Sequence, residues 1–258
     1  MHNPPRRHTL AALAAAAWAA AAFAGRAGAA TPQHYAVISL IGDEIELVYA
    51  SMQTGGTVDR NIRKPMPDAD GSFDKIALLA ISQAIERGEP GARVSLLGLP
   101  PSALHRDPDR MFGGNALALP GSLVDAINNA QATRVVVLTK QRSETKIQLH
   151  SDTIGSGHLR GLGYYIDPHT KLVMRDSGVS DTGLLAPFAY VRLTLADARD
   201  GRILGQRKIT ATRVYPVAES AVAVDPWDVL APEQKVERLR ALLQTALAQE
   251  TRLLLAGA

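Results

Sequence analysis

Between residues 35 and 139 short apolar runs alternate with amphipathic ones, and this alternation narrows the fold more than any other feature of the chain. Tyr35-Ala-Val-Ile-Ser-Leu-Ile41, Val94-Ser-Leu-Leu-Gly-Leu99 and Arg134-Val-Val-Val-Leu-Thr139 read as buried strands. A helix is expected between the first two, with Ser72 as N-cap and Asp74 in the first turn. Ile76, Leu79, Ala80, Ala84 and Ile85 recur there at helical spacing, and Gly88 can end it. Pro100-Pro101 stops the second strand, and residues 100–120 read as irregular. Ser122-Leu-Val-Asp125 then opens a second helix with capping-box spacing. Apolar strands separated by helices are the pattern of crossover units on a parallel sheet.

The rest of the chain reads as antiparallel additions. Ile45 to Met52 is expected to fold back on the first strand across Gly42-Asp43-Glu44, because those residues suit a turn. Gln53 to Asp70, with Gly55-Gly56, Pro65 and Pro67, reads as a loop or ragged edge hairpin. Tyr164–Ile166 and Leu172–Met174 are expected to pair across Asp167-Pro-His-Thr170. The strongest hairpin signal comes later: Ala189, Val191, Leu193 and Leu195 alternate with Tyr190, Arg192 and Thr194, Asp197-Ala-Arg-Asp-Gly201 turns the chain, and Ile203 to Tyr215 returns. Asp225-Pro226 can cap a turn. Pro232 begins a last helix whose stripe is Val236, Leu239, Leu242, Leu243, Ala246, Leu247 and Leu254. The expected class is α/β: a two- or three-layer domain with a mixed, partly parallel sheet, helices packed on it and an edge β-hairpin.

The first thirty residues read as an address. Arg6, Arg7 and His8 precede an uncharged run from Thr9 to Gly25, and Ala27-Gly28-Ala29 has the small-residue spacing of a signal-peptidase site. The run is shorter than the ~20 apolar residues of a membrane span. Arg6-Arg7 with Leu10 matches a twin-arginine signal only in part, since Thr9 stands where that signal prefers Phe. The expected division is a signal peptide over 1–29 and one α/β domain over 30–258, located in the periplasm with no stable membrane span after processing. Arg6, Arg7 and Arg26 are three of the 28 basic residues; without them 25 basic groups face 25 acidic ones. The densest basic stretch, Lys140, Arg142 and Lys146, is interrupted by Glu144, so no nucleic-acid partner is expected. The chain has no cysteine, which removes disulfides, a thiol nucleophile, lipidation at a mature N-terminus and Cys-containing zinc sites.

The opening strand Tyr35–Ile41, the segment from Gly56-Thr57 to Asn61 before the first helix, and the late hairpin centred on Asp197–Gly201 resemble the envelope proteins of the curli-secretion and TolB amino-terminal type. The resemblance extends in outline over about 35–255. It implies a periplasmic α/β domain with an accessory or assembly role rather than chemistry. The chain departs from that pattern in lacking a lipid-attachment cysteine and any long amphipathic strand pair suited to a pore.

His150, Asp152, His158, Asp167 and His169 form the one group of residues with metal or acid–base character, since imidazoles and carboxylates together suit a divalent ion if three or four converge. Their spacing matches no compact ligand motif. The alternative to convergence is polar loop residues at the rim of the sheet. Gly155, Gly157, Gly161 and Gly163 could cradle an anion, but they precede a strand and not a helix, so a mobile connection or a bulged β-edge fits better. Ser95, Ser122 and Ser156 lie in no nucleophile motif, and Asp43 and Glu44 sit in an expected turn rather than a glycosidase cleft. The leading expectation is an exported envelope accessory or assembly protein that binds a protein or cell-wall component without catalysis and without a cofactor; a homo-oligomer is compatible with it. The alternative is a metal-assisted periplasmic hydrolase using the His150–His169 region and a divalent ion.

Overall fold

The computed structural model describes residues 32–42, 44–51, 59–68, 71–100, 102–149, 152–173, 180–217 and 225–257. The segment read as an export signal, Asp43, Gly55-Gly56, Gly56-Thr57, Asp70, His150 and Met174 lie outside the described residues.

The first half holds β1 (His34–Leu40), β2 (Glu44–Tyr49), β3 (Ile62–Pro67), α1 (Ser72–Gly88) and β4 (Arg93–Leu97). Next come α2 (Ala103–Arg106), a 3-10 turn over Pro108–Met111, and the short pair β5 (Phe112–Gly113) and β6 (Ala116–Leu117). The stretch expected to be irregular is therefore built from small ordered units. α3 (Gly121–Asn129) and β7 (Arg134–Lys140) complete the crossover series. β1 lies between β4 and β7 and is parallel to both, with Val37 opposite Leu96 on one side and Val136 on the other. Every residue from Tyr35 to Leu40 is buried, as a strand covered on both faces requires.

Two local expectations fail at helix starts. Ser72 does not cap α1; Gly71 holds the N-cap position in a left-handed conformation (φ 55°), and Asp68 accepts from the Phe73 N–H and the Ser72 hydroxyl. The Ser122–Asp125 box does not form, because α3 starts at Gly121, two residues before the Leu123 start that a Ser122 cap requires, and Ser122 is already inside it. The buried face of α1 runs through Phe73, Ala77, Ala80, Ile81, Ala84 and Ile85, which leaves Leu79 at 53 % exposure.

The second half holds β8 (Arg142–Glu144), β9 (Ile147–Gln148), β10 (Thr153–Ile154), β11 (His158–Val173), β12 (Ser180–Asp197), β13 (Ile203–Thr212), β14 (Tyr215–Pro216) and α4 (Pro232–Ala256). The late hairpin is β12–β13, turned at Asp197–Gly201 as the alternation requires. Asp225 caps a 3-10 turn by accepting from Trp227 N–H. β12 has 18 residues, roughly 60 Å of extended chain at ~3.3 Å per residue, and its length organises the sheet. β13 runs along one edge of it. Its other edge carries two strands end to end: β11 pairs with Ser180–Tyr190, interrupted by a bulge, and β7 with Val191–Asp197.

The same arrangement repeats one strand further out. β1 lies beside β7 and β2 beside β11, both in parallel, so the chain does not reverse at Gly42–Glu44. It continues in one direction, and β2 takes β3, not β1, as its antiparallel partner. The expected β1–β2 hairpin is thus absent. Tyr164–Ile166 and Leu172 likewise belong to one strand, β11, with a bulge between Asp167 and Lys171 in place of a turn.

One face of the sheet packs on α1 and α4 through Val37, Ile81, Val191, Leu193, Leu239, Leu243 and Leu247. Val236, assigned to the α4 stripe on spacing, is 56 % exposed. The opposite face is covered by α3 at the β1–β7 end and by Ile147 and Ile154 of the β9–β10 pair at the β2–β11 end. The result is an α/β domain with a mixed, partly parallel sheet, packed helices and an antiparallel hairpin. No helix among the described residues is long and apolar enough to cross a membrane.

Candidate functional site

The bulge in β11 brings part of the sequence-predicted cluster to a cleft. A cavity of about 280 Å³ is lined by Ala50 and Ser51 after β2, Gly155 and Ser156 before β11, and Tyr165, Asp167, His169 and Thr170 of β11. Ser156, Asp167 and His169 thus meet at one place. His158 does not line the cleft and has Nδ1 3.8 Å from Asp59 Oδ2, and Asp152 is exposed beside the β9–β10 pair. His150 is outside the described residues.

The polar groups at this cleft are used against one another. Asp167 is buried, and its Oδ1 accepts from the N–H groups of His169 (2.8 Å) and Thr170 (3.0 Å) while Oδ2 accepts from the Thr170 hydroxyl (2.7 Å). These bonds stabilise the bulge by satisfying backbone donors that have left the ladder. The Ser156 hydroxyl donates to Asn61 Oδ1 at 3.3 Å and lies 3.4 Å from the Tyr165 hydroxyl, which accepts from Ser156 N–H. An amide oxygen is no base, so Ser156 is not activated as a nucleophile. Burial holds the Tyr165 hydroxyl above its ordinary pKa, in the neutral form.

Behind the cleft, Asp59 is the centre of a second net. Its carboxylate accepts from Arg63 (2.7 Å), Asn61 N–H (3.1 Å) and His158 N–H (3.0 Å). Burial pushes the Asp59 pKa up, but the bonds from Arg63 and the two amides outweigh it, and the group lies below the usual carboxylate value. Arg63 also pairs with Glu46 at 2.9 Å and donates to the carbonyl of His158. Asn61 donates from Nδ2 to Ser156 O at 2.7 Å and accepts from Ser51 N–H at 3.2 Å. The net fastens the start of β3 to β2 and to the glycine-rich stretch. Gly157 (φ 72°) fits only as glycine here, because a Cβ would lie 2.4 Å from the Asp59 carboxylate. The glycines therefore serve close packing where the chain enters β11, and not at a bulged edge: the bulge lies further on, between Asp167 and Lys171, and Gly163 is flanked by β2 and β12. Among the described residues no three His, Asp or Glu side chains come together as a metal site.

A Ser-His-Asp arrangement does occur elsewhere, and no sequence motif announced it. His105 Nδ1 lies 3.2 Å from both the N–H and the hydroxyl of Ser102, so this nitrogen accepts; Nε2 faces Asp74 Oδ2 at 3.4 Å. The order hydroxyl, imidazole, carboxylate is that of a catalytic relay. Here, however, Ser102 and His105 form the capping box of α2, and His105 is 1 % exposed, closed away from solvent. The contact pins the β4–α3 connection onto the first turn of α1. The same connection is held by Arg160, which donates to Arg106 O, and by Arg192, which pairs with Asp109 at 2.6 Å and stacks on Phe112. A serine three residues before a histidine was the one local signal; the partner Asp74 is too distant in sequence to be read. Of the serines singled out by sequence, Ser95 meets His34 Nε2 at 2.9 Å near the start of β1, and Ser122 sits in the first turn of α3.

No family model matches the chain, and no curated protein matches it. Two solved structures illustrate the likenesses found. A neuraminyllactose-binding hemagglutinin homologue from Helicobacter pylori is 11 % identical over 85 % of this chain and 84 % of its own, with a TM-score of 0.43. The PelC dodecamer from Paraburkholderia phytofirmans is 12 % identical over 86 % of this chain and 88 % of its own, with a TM-score of 0.27. Neither likeness is close enough to bear on the cleft.

Proposed function

We propose that this chain is an exported accessory or assembly protein of the cell envelope that acts by binding a protein or cell-wall component, in the periplasm, and performs no reaction itself. The observation that carries the reading is the state of the cleft: its serine donates to an amide, and its aspartate is consumed by a backbone bulge. Neither group is left to move a proton for a substrate. The charged, apolar and small-residue succession of the first 29 residues supports export, and the resemblance to envelope proteins of the curli-secretion and TolB amino-terminal type supports an assembly role.

The test joins location to partnership. Protein released from the periplasm by osmotic shock is expected to begin at Ala30 or within a residue or two of it. Formaldehyde treatment of intact cells is expected to trap it in a discrete larger species containing an envelope component. A cytoplasmic chain that retains Met1 and yields no cross-linked species would overturn the reading.

A further inference from the structure

β13 is the outer strand on its side of the sheet: it pairs with β12, and among the described residues only its start is held from elsewhere, where Ile203 N–H donates to Asn115 O at 2.9 Å and Arg202 bridges Ala116 of β6. Beyond Ile203 the outer edge of the strand leaves a row of backbone N–H and C=O groups without a ladder partner among the described residues. Alongside that edge α4 crosses the same face, and a groove of about 310 Å³ separates the two. Ile209 and Ala211 of β13 and Leu242 and Ala246 of α4 make its apolar lining, with Thr245 and Gln249 as polar wall. The two alanines leave the room that larger side chains would fill.

The charge along this edge has one sign. From Arg202 to Val217 there are four cations and no acidic residue. Arg207 is tied to Glu250 of α4 at 2.8 Å. At the opposite end of the groove Arg213 and Arg238, both exposed, lie against the ring of Tyr215, with Cζ 5.9 and 5.8 Å from its centroid. Among the described residues neither guanidinium has a carboxylate within ion-pair distance. At that distance the ring face attracts both cations, and their N–H groups remain able to grip a carboxylate. Two copies of β13 meeting edge to edge would set like charges opposite each other. A strand that carries carboxylates meets the opposite field.

We infer that the β13–α4 groove receives an extended acidic polypeptide segment. The segment adds as a strand to the outer edge of β13, lays alternate side chains over Ala211 and Ala246, and sets a carboxylate against Arg213 and Arg238. The inference rests on the reading of this chain as a binding protein and gives that partner its chemistry.

The probe is a fluorescein-labelled peptide of alternating Val and Thr ending in two Glu residues, titrated into the full chain and followed by anisotropy, with amide hydrogen exchange to locate it. Saturable binding is expected, together with new protection within Leu204–Thr212. Replacing the two Glu of the peptide by Gln, or introducing Arg213→Glu with Arg238→Glu, is expected to weaken it at least about tenfold, as the loss of a charge-assisted bidentate contact requires. Ala246→Trp fills the groove from a half-buried helix position and is expected to abolish binding with an unchanged circular dichroism spectrum. Absence of saturable binding, indifference to both substitutions, or protection confined to other strands would overturn the inference. So would a dimer of the chain whose protection falls on β13. An envelope cross-link that persists in the Ala246→Trp chain overturns the groove alone and leaves the binding-protein reading standing; loss of every cross-link in the unmodified chain overturns that reading instead.

Discussion

Asp74 accepts the backbone N–H of Ile41 at 3.0 Å, which fastens the first turn of α1 to the point where β1 ends and the chain carries on into β2. The approach is so close that a Cβ on Gly42 would lie 2.8 Å from the backbone nitrogen of Asp74. The other carboxylate oxygen faces His105 Nε2 at 3.4 Å. One side chain therefore joins a strand end, a helix start and the connection that crosses above them.

Asp74→Ala is expected to destabilise the fold by about 2–3 kcal/mol. It leaves the Ile41 N–H, in a residue with 0 % exposure, without an acceptor, and it strips the buried His105 ring of a partner. Urea denaturation at pH 7 measures the loss. His105→Ala in the same background should cost less than it does in the native chain, because the two changes share one contact. Full additivity would disprove the coupling.

Gly163 is expected to tolerate no side chain at all. A Cβ there would lie 1.9 Å from the carbonyl oxygen of Glu46 and 2.8 Å from the Phe188 ring, because β2 and β12 flank β11 on both sides at that residue. Gly163→Ala should yield little folded protein, with loss of cooperative melting. Gly113→Ala is the control: nothing lies within 4 Å of its Cβ position, and its melting temperature should change by no more than a degree or two.

Legibility in the sequence followed the range of the forces involved. β1, β7 and the β12–β13 hairpin were readable because each buries its own alternation or apolar run, a property carried by consecutive residues. The chain path at Gly42–Glu44 was not. Turn-compatible residues permit a reversal but do not compel one, and what keeps β1 and β2 in line is the length of β12, some 140 residues away, together with the Asp74 clamp. Asp167-Pro-His-Thr170 misled in the same way: its side-chain-to-backbone bonds are those of a turn, yet they serve a bulge within one strand. At the cleft, the residue types put Asp167 and His169 in one candidate group but could not show that the carboxylate is already satisfied by the bulge. The Ser102–His105–Asp74 contact and the β13–α4 groove depend wholly on tertiary neighbours.

Val136 tests the centre of the sheet. It is fully buried in β7 between β1 and β12 and packs on the face covered by α1 and α4. Val136→Asp places a carboxylate where neither water nor a cation can reach it, at a cost of about 3 kcal/mol or more. The expected outcome is loss of the cooperative urea transition or aggregation on expression. A melting temperature within a few degrees of the native chain would be incompatible with this strand order.

Asp59 gives the fold a specific acid sensitivity. Burial raises its pKa, the bonds from Arg63 and from the Asn61 and His158 amides lower it by more, and the net shift is downward. A carboxylate with a folded pKa below its unfolded value of about 3.9 contributes stability that is fully present above that value. The contribution disappears as the pH falls through the depressed folded value, when the unfolded chain binds the proton more readily. Asp59→Asn removes the linkage, so the variant should be less stable than the native chain at pH 6 and should approach it at pH 3. Urea midpoints for the two proteins across that range decide the point. A stability difference that stays constant with pH would mean that the carboxylate charge does not hold β3 to the glycine-rich stretch.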